Sequence, residues 1–238
     1  MDKYKDTLCQ IFGKSQISDE KDVAQNIYTF RFVLFCMVVY SFENILNMAG
    51  IFIVDKKIFF TGYIIACFFL LMHIIFLMVL GLDNPKTKYL SIIASMCMFN
   101  AASISLTYHM IIIIMIPLVI AGMYTSKRIS VFTFVLTIFS IIIITYCGYF
   151  YGVCDANMAL LTATSIGNLE KDGKFLMNQV NPNPIITIGL YFVLPRCFQA
   201  VAFAYVSNSV NKVIRSSQKK AVQMELKAST DEMTGLYN

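Results

Sequence analysis

The residues with the strongest claim to chemistry are polar side chains set inside long apolar runs. They are Glu43, Asn44 and Asn47 in the first run, Asn100 in the third, and Arg196 with Gln199 in the last. A full charge in hydrocarbon is costly, so such residues face a bundle interior or a wet cavity and find partners there. Counted at 1.5 Å per residue from the run ends, Glu43 and Arg196 both lie roughly 16–18 Å from a membrane face. No other full charge reaches that depth, which predicts a Glu43–Arg196 ion pair near the midplane with the amides around it. The cluster admits two readings. It is either a binding site for a small hydrophobic or amphipathic ligand, or a polar lock that sets helix register in a packed bundle. Pro195 and Pro117 predict kinks, since a proline in a helix interior frees the carbonyl four residues back.

Other chemistry is not encoded. The seven cysteines form no C-x-x-C and no paired C-x-x-H spacing, and in apolar runs a free cysteine behaves as a small hydrophobe. Cys147 and Cys154 stand two helical turns apart, about 10 Å, too far for a disulfide along one helix. His73 and His109 differ in depth by roughly 20 Å and cannot share a metal. There is no G-x-x-x-x-G-K-[ST] and no G-x-G-x-x-G after a strand. No residue of the chain is therefore assigned a catalytic role, and no metal or cofactor is expected within it.

The elements that must carry the polar residues are membrane helices. Of the 238 residues 58% are apolar and 14% charged, and the mean hydropathy is +0.67, far from a soluble domain. Runs at 30–54, 58–82, 89–106, 109–124, 129–153 and 185–206 are each read as crossing a hydrocarbon core of about 30 Å. The expected fold is an all-α, six-helix transmembrane bundle, with the division of 89–124 into two spans the weakest step and five spans the alternative. Of the 19 Lys and Arg, Arg196 lies deep within a run. Lys56, Lys57, Lys171 and Lys174 fall on one side of the membrane, and all the others fall on the side of the two termini. Positive residues mark the cytoplasmic side, so both termini are expected in the cytoplasm and 154–184 is expected outside, as the one long loop. Residues 1–27 lack the apolar h-region of a signal peptide and read as a cytoplasmic lead-in. The net charge of +5 follows from this bias, with no basic patch of the kind that binds nucleic acid.

After the last run, 207–230 is polar and free of Gly and Pro. It predicts a continuous linker helix whose Val210, Ile214, Ser217, Ala221, Met224 and Ala228 follow heptad spacing, a weak dimer seam or else one face of a solvated helix. It leads into Asp231-Glu232-Met233-Thr234-Gly235-Leu236-Tyr237-Asn238. This octapeptide resembles the D-x-L-T-G-L-x-N opening of the GGDEF domain of bacterial diguanylate cyclases, with Met233 in place of the usual Leu.

The resemblance covers only these last residues. It implies that Asp231, Thr234, Gly235, Leu236 and Asn238 form the joint between stalk and catalytic domain and are not metal ligands. It further implies that the catalytic G-G-[DE]-E-F turn, with its Mg and two GTP, belongs beyond Asn238. The module would then sit in the bacterial cytoplasmic membrane, contact lipid, dimerise, and regulate the condensation of two GTP to cyclic di-GMP through the linker helix. The alternatives are a small transporter-like membrane protein whose terminal match is accidental, and an inert anchor.

Overall fold

The computed structural model describes residues 11, 22–52, 54–106, 112–124, 126–152 and 183–229. Most of the 1–27 lead-in, His109, Cys154, nearly all of the 154–184 loop, and the motif residues Asp231, Thr234, Gly235, Leu236 and Asn238 lie outside that set.

The described residues form helices and no strand. In chain order these are α1 (Val23–Met48), α2 (Lys56–Leu80), α3 (Thr87–Ser105), α4 (Ile116–Met123) after a 3₁₀ turn (Ile113–Met115), α5 (Lys127–Tyr151), the short α6 (Pro184–Ile188), and α7 (Leu194–Ser229). A π-helical turn, Gly189–Val193, joins α6 to α7. Four helices are long and apolar enough to cross a membrane: α1, α2, α5 and the continuous rod from Pro184 through α7. Their outward faces carry exposed Phe35, Phe42, Phe68, Leu71, Val79, Phe139 and Phe198, a surface suited to lipid and costly in water.

Burial sorts the helices in an order hydropathy does not predict. α2 is strongly apolar yet buries only Phe59, Gly62, Ala66, His73 and Leu77, a single stripe at helical spacing. α3 is far richer in Ser and Ala and buries 12 of its 19 residues, among them Ser91, Ser95, Ala101, Ala102, Ser103 and Ser105. It packs against α1, α2, α4 and α5. Small side chains let backbones approach closely, so they gather where helices surround a helix. At the tightest approach, a Cβ added to Gly62 of α2 would collide with Ser105 Oγ of α3 and lie 3.0 Å from Tyr40 Oη of α1.

One end of the bundle is tied by buried polar groups. Asn26 Nδ2 donates to the Leu82 carbonyl (2.8 Å), Tyr124 Oη donates to Asn26 Oδ1 (2.9 Å), and Thr29 shares a 3.1 Å hydrogen bond with Tyr124. Thr87 Oγ1 donates to the Gly81 carbonyl (2.6 Å), where Gly81 turns the chain at φ +85°. Asp22, before α1, holds a left-handed φ of 69° and pairs with Lys88 of α3 at 2.6 Å. Asp tolerates this region better than most residues, and the ion pair offsets its cost.

The two prolines behave differently. Pro117 does not kink a longer helix as expected; it sits at the first turn of α4, where its missing N–H would have no intrahelical partner in any case. Pro195 stands two residues after the end of the π turn, and the carbonyl that it leaves free four residues back, that of Tyr191, falls within that turn. In the fourth run the described residues carry an apolar helical segment from Ile113 to Met123; 109–111 lie outside the described residues.

Candidate functional site

The polar residues singled out above do not converge on one site. Arg196 is 4% exposed and donates from Nη1 to Thr145 Oγ1 of α5 (2.8 Å). Thr145 in turn donates to the Ile141 carbonyl (2.6 Å). The guanidinium lies 6.0 Å from the Phe192 ring centroid. α7 thus docks its one intramembrane charge on α5.

Glu43 sits on α1, which packs on α2 and α3 while α7 packs on α4 and α5. The one ion pair among the described residues is Asp22–Lys88. The expected Glu43–Arg196 pair is not formed. Their helices pack on different neighbours, and an equal depth counted from the run ends does not by itself bring side chains together.

The amides divide in the same way. Asn47 donates to the Phe52 (2.7 Å) and Val54 (2.9 Å) carbonyls, so it shapes the α1–α2 turn. Asn44 is 6% exposed with its Nδ2 unpartnered. Gln199 is exposed on α7 and points away from the bundle. Asn100 lines a cavity, and its Nδ2 donates to Ser140 Oγ across α3–α5 (3.0 Å).

That cavity, about 670 Å³, lies between α2 and α3; Asp55, Thr61, Ile65, Phe69, Cys97 and Asn100 line it. From Asp55 to Phe69 it runs about 20 Å along the helix. Its walls are mostly apolar with polar groups at the Asp55 end, where the carboxylate also caps α2 through the Ile58 N–H (2.9 Å). Such a cleft suits an elongated amphipathic molecule. It lies between α2 and α3, whereas the sequence pointed to the first and last apolar runs. Gly62 and Ser105 line it as well, and glycine inside an otherwise bulky apolar helix was the available signal.

A second arrangement escaped sequence reasoning altogether. Ser207 of α7 donates to the Leu118 carbonyl of α4 (2.7 Å), and a Cβ on Gly122 would stand 2.7 Å from Ser207 Oγ. α7 is therefore seated in a notch of α4, and α4 is hooked to α1 through Tyr124. Beyond Asn211 the α7 side chains are exposed apart from the half-buried Ile214, as far as Glu225. Among the described residues no group of three or more His, Cys, Asp or Glu is placed to hold a metal.

Comparison of the chain with protein-family models, with curated proteins and with solved structures finds no match.

Proposed function

We propose that this chain is the membrane-embedded sensory, anchoring and dimerising module of a diguanylate cyclase, and that it regulates a cytoplasmic GGDEF domain through α7. The observation that carries the reading is the course of α7. It is packed on α4 and α5 in its first part, continues without a break to Ser229, and ends beside the octapeptide that resembles the GGDEF opening. The heptad positions Val210, Ser217, Ala221 and Met224 are exposed along it, as a seam for a second copy requires.

The six-span arrangement draws support from contacts at the two bundle ends. Asn26, Leu82, Tyr124 and Thr29 meet at one end. At the other, a Cβ on Gly152 would overlap the Ile104 carbonyl, and Tyr146 Oη donates to the Ile185 carbonyl (2.8 Å). Contacts of Ile104 at one end and of Tyr124 at the other support a return of the chain within the 89–124 stretch, and with it an even number of crossings and, from the positive-side bias, cytoplasmic termini.

The test is an insertion series at Ser217 in the module joined to an intact GGDEF domain. A helix turns about 100° per residue, so one added residue rotates the catalytic domain and seven restore its face. Cyclic di-GMP output is expected to follow that period. Output independent of insertion length would leave the membrane region an anchor. Codons after Asn238 that lack a G-G-[DE]-E-F turn would remove the cyclase reading itself.

A further inference from the structure

A groove of about 280 Å³ runs between α5 and α7, and its apolar walls are Val131 and Phe134 on one side and Val201 and Ala204 on the other. Ser130 and Asn208 line the same groove, and they are the lining residues nearest the α5 start and the α7 exit. We propose that an anionic phospholipid, in the leaflet at which α7 leaves the bundle, occupies this groove with its headgroup on the basic side chains at its mouth.

The charge pattern carries the assignment. On α7, Val201, Asn208, Lys212, Arg215 and Lys219 recur at i, i+7, i+11, i+14 and i+18, so the groove face continues directly into a basic stripe. On α5, Lys127 stands three residues before Ser130 and four before Val131, again on the groove face. Lys127, Arg128, Lys212 and Arg215 follow within one or two turns of the groove's last lining residues on the two helices, and all four are exposed. No Asp or Glu occurs between Ser207 and Met224 or anywhere in α5. The mouth thus presents cations from two helices, and the nearest acidic residue on either is Glu225, ten residues beyond Arg215.

The level is right for a headgroup. Tyr205 also lines the groove and is 75% exposed, the position of an aromatic at a membrane interface. Lys212 lies about 6 Å beyond Asn208 along its helix and Lys127 about 4.5 Å beyond Ser130, where basic juxtamembrane residues attract anionic lipids. An acyl chain against Phe134 and Val201 would fill about 10 Å of groove. Because the groove lies between α5 and α7 at the level of the Ser207–Leu118 contact, a bound lipid would favour one seating of α7. This assignment needs only a bilayer around the bundle and does not depend on the cyclase reading.

Electron spin resonance of the purified chain in nanodiscs tests it, with spin-labelled phosphatidylglycerol and phosphatidylcholine as the two probes. Phosphatidylglycerol should be immobilised in preference to phosphatidylcholine. The preference should fall about fivefold in each of Lys212→Gln and Arg215→Gln, vanish when Lys127→Gln and Arg128→Gln are added, and weaken as salt rises. Ala204→Phe should release the immobilised chain of either lipid. Equal immobilisation of the two probes, or a phosphatidylglycerol preference that survives the four charge substitutions in a chain with unchanged melting in phosphatidylcholine, would overturn the assignment.

Discussion

The buried knot at Tyr124 offers the sharpest quantitative test of how α1 and α4 are held together. Tyr124 is 1% exposed, so Tyr124→Phe keeps the ring packing and deletes only the hydroxyl. That hydroxyl serves Asn26 Oδ1 at 2.9 Å and Thr29 at 3.1 Å, and both residues are fully buried. Each buried polar group left without a partner costs about 1–3 kcal/mol. Thr29 can turn its hydroxyl to the carbonyl four residues back, which leaves one unpartnered group, at Asn26, and an expected loss of about 2 kcal/mol.

Asn26→Ala removes the same contact from the other side and also the Leu82 bond. The two substitutions should therefore share a coupling energy of at least about 1 kcal/mol. Reversible unfolding in mixed micelles, followed by far-ultraviolet circular dichroism through a denaturing-detergent titration, measures all four corners of the cycle. Energies that add to within about 0.5 kcal/mol would mean that the hydroxyl and the amide do not meet.

Three further outcomes are expected. Glu43→Gln and Arg196→Met should be additive in thermal unfolding, because Arg196 is bonded to Thr145; coupling beyond about 1 kcal/mol would restore a direct pair. Gly62→Ala should destabilise the bundle by about 1–3 kcal/mol through overpacking against Ser105 and Tyr40. Ser105→Gly in the same chain should recover most of that loss, and failure of the rescue would show that the α2–α3 approach is looser than described. In intact cells, on a cysteine-free background, a thiol reporter at Lys57 should react with an impermeant reagent and one at Arg128 should not; labelling at Arg128 would invert the orientation derived from charge.

Several features were legible in the residues alone because they depend on local composition. Long apolar runs with few charges can satisfy their backbone only as helices in a membrane, and α1, α2, α5 and α7 stand where such runs occur. The continuity of α7 through 207–229 follows from a stretch without Gly or Pro. The neighbours of each helix were not legible. Glu43 and Arg196 have one coordinate in common, their depth, whereas contact also needs the right azimuth and adjacent helices, and those are settled by which faces pack.

The same limit applies to α3. Its Ser and Ala content lowers its hydropathy, yet those small residues make it the most enclosed of the long helices, because close packing rewards small side chains more than apolar ones when lipid competes for the apolar surface. The amides show the division residue by residue: Asn47 closes a turn, Asn100 crosses to Ser140, and Gln199 faces outward, although in sequence all three are polar interruptions of an apolar run. Sequence by itself determined that this chain is a set of membrane-suited helices with a polar rod leading out of it, since that follows from transfer of each segment taken alone. Only the tertiary structure decided the partner of Arg196, the place of the cavity between α2 and α3, and the seat of α7 on α4, since these depend on the mutual rotation of helices, which no single segment encodes.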